Sequence, residues 1–455
     1  MVKLRYFALT AGLVGIWLYR SLPSLRNSVL YKAPLPIGYA FNGNYDAGSC
    51  ESLGPGPAKG TFNALSYCED TAFWELHRSV EDEHPKRLVL AGCDPNRKSW
   101  NTVMGPLRDP TPHGSLWVYD PSKPTVPSSN PARITLAGYP AGHDFHPLGF
   151  EIWPSYSGNA SSLYVVNHAR VRTVIEHFVL DPSAPTKAKH IRTISSPYFV
   201  SPNAVALTSP NSFYVTNDHI ITRRWPIIGP IVPVLEAVFG IPLTFASHIT
   251  LKDSNDPQVE AHTFAAKWLS FPNGIAISSS GRLVAIASSS LSQVYYYTRD
   301  PSTNALTPLP ERTVQMPFCP DNVRFAEREG KEDELIVAGH PYFPSLILIS
   351  KNVTTASPGS WVISVIPTSD SERKEKPSEA KDSYFQDTFD PVAPVSASSM
   401  VSVRSTYTLK TLFQSNGEKG GFSSSTTGIW DPESKVLYVS GLYADQGVVA
   451  CRSRK

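Results

Sequence analysis

The sequence has few charged residues and no basic cluster. Asp, Glu, Lys and Arg make up 18% of the 455 residues, and the formal net charge is +2. Nucleic-acid-binding surfaces concentrate Lys and Arg on one face, so nucleic acid is not expected as a partner. The hydrophobic content of 41% suffices for a large core. The length fits one large repeat domain or two to three ordinary domains.

Methionine is scarce, with 4 residues, whereas proline is abundant, with 41. Regular helical periodicity between the apolar segments is also missing. A helical bundle and a parallel α/β fold are therefore disfavoured, and a loop-rich β protein is favoured.

The five cysteines include no Cys-x-x-Cys pair, which argues against a zinc site. Their number fits a secretory protein with one or two disulfides. Cys50 and Cys451 lie near the two ends of the chain, and a bridge between them would join the ends of the fold. Cys68, Cys93 and Cys319 are interpreted as buried thiols.

The N-terminal apolar run, residues 6–19, is short for a membrane span of about 20 residues. It follows two basic residues and fits the core of a signal peptide. Because no small-residue cleavage site follows it, residues 1–22 are predicted to form a hydrophobic helix that acts as a signal peptide or an uncleaved signal anchor. Sequons at Asn159 and Asn352 agree with a glycoprotein of the secretory pathway that is secreted or membrane-anchored.

Short β-type runs recur along the whole chain. They are rich in Val, Ile and Tyr and bounded by turn residues, as at 87–91, 116–119, 163–166, 213–215, 283–286, 294–297, 335–337 and 437–439. A loose repeat of about 50 residues with four short strands per unit is typical of β-propellers. Residues 40–455 are therefore predicted to form an all-β, six-bladed β-propeller.

Four separate loops carry oxygen-bearing side chains beside turn-forming residues. Glu69 and Asp321 offer negative charges, and three asparagines offer neutral carbonyl oxygens: Asn203, Asn273 and Asn322. Such a set matches the all-oxygen shell that calcium prefers, with the formal charge balanced. The sequence therefore predicts a calcium site at the propeller axis.

Several motifs resemble the serum paraoxonase/arylesterase family in order and spacing. They are 68–70 (Cys-Glu-Asp), 145–150 (Phe-His-Pro-Leu-Gly-Phe), 165–168 (Val-Val-Asn-His), 213–219 (Phe-Tyr-Val-Thr-Asn-Asp-His), 271–275 (Phe-Pro-Asn-Gly-Ile), 321–322 (Asp-Asn) and 339–341 (Gly-His-Pro). The pair Cys50 and Cys451 and the hydrophobic N-terminus match too. The resemblance implies a six-bladed propeller with two central calcium ions that hydrolyses lactones and aryl esters, with organophosphates as an incidental substrate.

The resemblance assigns the two calcium ions to different residues. The catalytic calcium would be held by Glu69, Asn203, Asn273, Asp321 and Asn322. The structural calcium would use Asp70 and the backbone carbonyl of Phe150, but a further carboxylate of the family falls on Ala204. The second site is therefore expected to be weaker, to use more carbonyls and waters, or to be empty.

The histidine pair of the family is retained only in part. His168 matches one member and is the first candidate for the base that activates water, whereas the other position is Leu148. His146 lies two residues earlier, on the same side of an extended strand, and is the second candidate. Asp321 is an alternative base or nucleophile. Two further histidines follow strand ends and are expected to shape the pocket or orient ligands: His219 and His340.

Two stretches interrupt the strand pattern. The apolar, Pro-rich residues 220–245 are interpreted as a lid over the axial face or as a surface that touches membrane, with an ordinary buried blade insertion as the alternative. Residues 369–381 are charged and Ser-rich and are predicted to form a solvated loop.

Three functions remain open from the sequence. The first is a calcium-dependent hydrolase of lactones and aryl esters with an apolar pocket. The second is a hydrolase of the gluconolactonase type, which would have small polar substrates and an open polar pocket. The third is a non-catalytic propeller that keeps calcium for stability and binds lipids or proteins, and Leu148 favours it.

Overall fold

The computed structural model describes residues 9–17, 29, 32, 34–35, 40–41, 50–54, 65–122, 131–252, 256–367, 407–418 and 421–452. The predicted loop at 369–381 lies outside them. The described strands form six sheets, each with a main path of four or five strands.

The first three blades use chain between residues 68 and 269. The first contains β3 (Cys68–His77), β4 (Lys86–Cys93), β5 (Ser115–Tyr119) and β6 (Ala132–Arg133), with β9 (Ser155–Tyr156) beside β3. The second contains β8 (Pro147–Ile152), β10 (Ser161–Asn167), β11 (Val174–Leu180), β12 (Lys187–Ile194) and β7 (Thr135–Ala137). The third contains β13 (Pro202–Ser209), β14 (Ser212–Asn217), β15 (Thr244–Leu251) and β16 (Val259–Leu269).

The last three blades include the two strands nearest the N-terminus. The fourth contains β17 (Pro272–Ile277), β18 (Leu283–Ser288), β19 (Gln293–Arg299) and β20 (Leu306–Pro308), with β21 (Val314–Gln315) also paired to β19. The fifth contains β22 (Cys319–Ala326), β23 (Glu334–His340), β24 (Ser360–Pro367), β25 (Tyr407–Ser415) and β1 (Ala40–Phe41). The sixth contains β26 (Ser425–Asp431), β27 (Val436–Gly441), β28 (Val448–Arg452) and β2 (Cys50–Ser52).

The six innermost strands contact one another in a closed ring, in the order β3, β8, β13, β17, β22 and β26. The ring closes in the sixth blade, where β2 pairs with β28 and Cys50 lies opposite Cys451. These two cysteines form a disulfide across 401 residues of sequence. The prediction of an all-β, six-bladed propeller is confirmed, and each of the eight β-type runs named above lies within a strand.

Apolar side chains fill the spaces between neighbouring blades. Trp74, Phe150 and Phe178 are fully buried between the first and second blades. Phe318 and Trp361 occupy the corresponding space between the fourth and fifth blades. This packing holds the inner strands in place around the axis.

Each inner strand has an irregular register near its first residues. The pairing shifts between Cys68 and Asp70, Pro202 and Val205, Pro272 and Ile275, Pro320 and Val323, and Ser425 and Thr427. In β8 the corresponding irregularity spans Leu148 and Gly149, opposite Val165 and Asn167. A β-bulge changes the direction of side chains, and here the bulges contain the predicted calcium ligands.

One interpretation of the cysteines is wrong. Cys68 and Cys93 are not free thiols but form a disulfide. They lie directly opposite each other on the antiparallel strands β3 and β4, where facing side chains are close enough to bond. Cys319 is a buried free thiol, as predicted.

Helical segments are short and lie in loops. Helix α1 (Val232–Phe239) is inserted between β14 and β15, helix α2 (Phe343–Ser350) lies between β23 and β24, and a 3-10 turn spans Pro310–Arg312. Residues 9–17 of the predicted leader are helical. Among the described residues, no helix has the length and apolarity needed to cross a membrane, and the leader stays a prediction.

Candidate functional site

A cavity of about 40 Å³ lies at the end of the axis where the inner strands bulge. Four of the five predicted catalytic-calcium ligands line it: Glu69, Asn203, Asn273 and Asp321. The fifth, Asn322, joins them because its Nδ2 donates to Glu69 Oε1 at 2.8 Å. The structure therefore brings together side chains that are up to 253 residues apart in sequence.

Three oxygen atoms at this cavity have no hydrogen-bond donor. Glu69 Oε2, Asn203 Oδ1 and Asn273 Oδ1 are buried and lack a partner. The amide nitrogens are occupied instead, because Asn203 donates to Asp218 Oδ2 at 3.4 Å and Asn273 donates to Ser289 Oγ at 3.2 Å. A buried oxygen without a partner is unfavourable by about 1–3 kcal/mol. Three such oxygens around one cavity fit a hard cation such as calcium.

The charge at the cavity also favours a cation. Burial, followed by the charges of Asp70 and Asp321, holds the pKa of Glu69 well above its usual range. A bound cation would reverse this shift by stabilising the carboxylate. Within the described residues, no group of three or more His, Cys, Asp or Glu side chains is arranged to hold a metal, so the set depends on its asparagines.

Glycine allows two inner strands to approach closely at the site. A Cβ atom on Gly274 would lie 2.5 Å from the Cα of Asn322. Gly274 follows Asn273 directly, so the close approach of β17 and β22 sets the spacing of the candidate ligands Asn273 and Asn322.

Asp321 is oriented by a histidine. Its Oδ2 lies 2.8 Å from His340 Nε2, and both side chains are almost fully buried. The other ring nitrogen, His340 Nδ1, has no hydrogen-bond partner. The predicted role of His340 in orienting a ligand therefore agrees with its contact.

The walls of the cavity are mainly apolar. They are formed by Val103, Met104, Leu148, Phe271, Phe343, Leu346 and Leu442, with Asn101 as a polar exception. Two of these, Phe343 and Leu346, belong to helix α2, which forms part of the wall. The lining suits an acyl or aryl group better than a small polar substrate. None of the described lining residues is a histidine.

His168 is buried beside the site with both ring nitrogens occupied. Its Nε2 donates to the carbonyl oxygen of Pro202 at 3.0 Å, and its Nδ1 accepts a hydrogen bond from the Thr102 hydroxyl. Burial lowers the pKa of His168 to about 3, so the ring is neutral. Its own carbonyl accepts from Trp100 Nε1 at 2.7 Å. His168 thus holds residues 100–102, which lead into the cavity wall.

His146 forms a pair with a buried carboxylate. Its Nδ1 lies 2.8 Å from Asp94 Oδ2, and its Nε2 has no hydrogen-bond partner. His146 and Asp94 are both essentially inaccessible to solvent. The cavity wall at this blade is instead formed by Leu148.

The two residues assigned to a structural calcium contact a guanidinium group. Arg324 Nη2 donates to Asp70 Oδ2 at 2.7 Å and to the Phe150 carbonyl oxygen at 3.0 Å. Burial raises the pKa of Asp70, and the charge of Arg324 opposes this effect.

The inserted segment 220–245 packs beside the site but exposes apolar surface. Arg223 Nε donates to the carbonyl oxygen of Val103, a cavity residue, at 2.7 Å. Large apolar side chains of the segment are exposed: Trp225, Ile227, Ile228, Ile231, Val234, Leu235, Phe239 and Leu243. The structure therefore contradicts the alternative interpretation of this segment as an ordinary buried blade insertion. The segment ends in β15, which begins at Thr244.

Several residues of the site were not predicted from the sequence. Thr102 and Arg324 carried no recognisable pattern, and helix α2 has no capping side chain to mark its start. Asp94 could have been found, because it follows β4 directly, in the same way as His168 follows β10.

Comparison with known proteins identifies the family. The family model described as Arylesterase matches residues 110–387, more than half of the chain. Serum paraoxonase/arylesterase 1 of Mus musculus is 28% identical over 197 residues, which are 43% of this chain and 49% of the relative. Serum paraoxonase/lactonase 3 of Rattus norvegicus is 24% identical over 216 residues, which are 47% of this chain and 54% of the relative.

The chain spans about half the length of these curated relatives. The family match covers the second to fourth blades and much of the fifth, and these contain His168, Asn203, Asn273, Asp321 and Asn322. The resemblance seen in the sequence is confirmed, and the chain belongs to the arylesterase family.

Proposed function

We propose that this protein is a calcium-dependent hydrolase of lactones and aryl esters, with organophosphate hydrolysis as an incidental activity. The observation that carries this proposal is the group of three partnerless oxygens beside Asp321 in one apolar cavity. The family membership and the names of the curated relatives support the same reaction class.

The side chains that would hold the catalytic calcium are Glu69, Asn203, Asn273, Asp321 and Asn322. When bound there, calcium supplies a Lewis acid that polarises the carbonyl oxygen of the ester. Two carboxylates and three neutral amides balance its charge, and the amides leave the ion electrophilic. The apolar wall binds the acyl or aryl group and excludes bulk water.

Hydrolysis requires a group that accepts a proton from water. Water adds to the carbonyl carbon, the bond from that carbon to the leaving oxygen breaks, and the leaving oxygen takes up the proton. Among the proposed acceptors, Asp321 lines the cavity, and its Oδ2 is linked to His340. His146 offers a partnerless Nε2 backed by Asp94, whereas His168 would first have to release the Thr102 hydroxyl.

A second candidate function is a non-catalytic propeller that keeps calcium for stability and binds lipids or proteins. One observation favours it, which is that Leu148 lines the cavity where the family has a histidine. The apolar wall argues against the gluconolactonase-type alternative, which needs an open polar pocket.

The two functions are separated by measuring turnover of an aryl ester and of an apolar lactone. The folded chain is assayed in excess calcium and in a calcium chelator, with circular dichroism as a control for folding. The proposal expects turnover in calcium that is lost in chelator and in Asn273→Ala and Asp321→Ala. A folded, calcium-bound protein that hydrolyses neither substrate would support the binding propeller.

We also propose that the protein travels the secretory pathway and is secreted or membrane-anchored. Two disulfides and two exposed sequons, at Asn159 and Asn352, support this location.

The exposed apolar side chains of segment 220–245 are proposed to touch a lipid surface. Flotation with vesicles tests this contact, and the variant Trp225→Ser/Phe239→Ser should bind vesicles less than the unmodified chain. Equal vesicle binding by both would contradict it.

A further inference from the structure

A largely buried arginine lies inside the ring, next to the candidate calcium site. Arg324 follows Asn322 by two residues on the inner strand β22, and its side chain is 12% exposed. Its guanidinium donates to Asp70 Oδ2 at 2.7 Å and to Glu151 Oε2 at 2.8 Å. It also donates to the carbonyl oxygens of Phe150 at 3.0 Å and Thr71 at 3.4 Å. These contacts join three of the six inner strands, which are β22, β3 and β8.

The carboxylate of Asp70 has no free position. Oδ1 accepts from the Thr71 N–H at 2.8 Å and from Thr427 Oγ1 at 3.0 Å. Oδ2 accepts from the Phe150 N–H at 2.9 Å and from Arg324 Nη2 at 2.7 Å. An ionised carboxylate offers about four acceptor positions, and four donors lie within hydrogen-bond distance of them here. The Thr427 hydroxyl shares its one proton between Asp70 Oδ1 and the Glu69 carbonyl oxygen. A calcium ion could bind only by displacing these donors.

The candidate calcium ligands around Glu69 differ from Asp70 because some of their oxygens accept no hydrogen bond. Glu69 Oε2 and two asparagine oxygens there have no donor, whereas the oxygens of Asp70 are saturated. The further carboxylate that the family resemblance places near Asp70 falls on Ala204, which supplies no oxygen from its side chain. With Arg324 in place, the residues around Asp70 therefore leave a calcium ion too few of the six to eight oxygen ligands that it needs.

We propose that Arg324 is a built-in cation that takes the place of a second calcium ion on the propeller axis. The positive charge between Asp70, Glu151 and the Phe150 carbonyl oxygen is part of the chain and does not exchange with solvent. The folded protein therefore holds one exchangeable divalent ion, and the packing of these strands does not depend on calcium. The ion count rests on the proposed function, whereas the role of Arg324 does not.

The number of bound calcium ions tests the proposal. The full-length chain is freed of metal and its bound calcium is counted by equilibrium dialysis. We expect one ion in the unmodified chain and one in Arg324→Lys, which keeps the charge. We expect one further ion in Arg324→Gln, because its loss leaves Asp70 and Glu151 without a cation.

A matched control separates the loss of the guanidinium hydrogen bonds from the opening of a cation site. The variant Arg324→Lys loses the guanidinium but keeps a positive charge between Asp70 and Glu151, so only Arg324→Gln should open the site. Calcium added after the first site is saturated should raise the urea midpoint of Arg324→Gln but not that of Arg324→Lys. Equal calcium responses of the two variants would overturn the proposal.

Each ion count has a distinct meaning. Two ions in the unmodified chain would overturn the proposal even if Arg324→Gln failed to fold. No ion in the unmodified chain would contradict the calcium dependence of the proposed function alone. In that case, one ion gained by Arg324→Gln would still support the role of Arg324, and no gain would overturn it.

Discussion

The substitution Asn203→Leu separates a cation ligand from an ordinary buried amide. Leucine has nearly the shape of asparagine but lacks the oxygen that has no donor in the metal-free chain. Removing a buried, partnerless polar atom should raise the free energy of unfolding by about 1–3 kcal/mol without calcium. The hydrogen bond lost with it, from Nδ2 to Asp218, is long at 3.4 Å and contributes little.

The same substitution should have the opposite effect when calcium is present. A ligand at 1,000 times its Kd stabilises the folded state by about 4 kcal/mol. The variant lacks one of the five proposed ligand side chains, so most of this increment should disappear. Asn203→Leu should therefore be more stable than the unmodified chain in chelator and less stable than it in calcium.

Urea denaturation in calcium and in chelator measures both effects. Asn167→Leu is the matched control, because Asn167 is fully buried on β10 and both of its polar atoms have partners. Its Oδ1 accepts from the His146 N–H at 2.8 Å, and its Nδ2 donates to the Asp144 carbonyl oxygen at 2.8 Å. This variant should lose about 1–3 kcal/mol in both conditions and keep the full calcium increment. A calcium increment in Asn203→Leu equal to that of the unmodified chain would refute the assignment of Asn203 as a ligand.

Three further predictions concern histidine and carboxylate groups. His168→Ala should lower turnover, and Thr102→Val should lower it about equally if His168 acts by holding Thr102; unchanged turnover in His168→Ala would exclude both roles. Burial raises the pKa of Glu69, so a proton and calcium compete for its carboxylate. Calorimetric titration should therefore show calcium affinity rising with pH, by at most about tenfold per unit, and a pH-independent affinity would contradict this. Burial alone would raise the pKa of Glu176. Its hydrogen bonds, of which the one from His143 has the largest effect, instead lower this pKa to about 2. About 3 kcal/mol of stability present above pH 4.5 should then be lost as the pH falls toward 2, and acid titration of Glu176→Gln should lack this loss.

The propeller could be predicted from the sequence because its signals are local. Each short run of Val, Ile and Tyr ends in turn residues, so strands such as β10 and β23 are visible without any knowledge of their partners. The candidate ligands were visible for the same reason, since Asn203 and Asn273 each follow a proline at the start of an inner strand.

The remaining features depend on contacts between distant residues. Cys68 and Cys93 bond because of the register of two strands, which composition does not reveal. Arg324 meets Asp70 across 254 residues of sequence, and only the closed ring brings them together. Helix α2 forms part of the cavity wall, although its sequence has no strong helical periodicity and no capping side chain marks its start.

A crystal structure of the full chain grown with calcium tests the central claim most directly. The account predicts one ion in the axial cavity, with oxygens of Glu69, Asn203, Asn273 and Asp321 at about 2.3–2.6 Å from it. An axial cavity without an ion at saturating calcium, or an ion bound away from these four side chains, would contradict it.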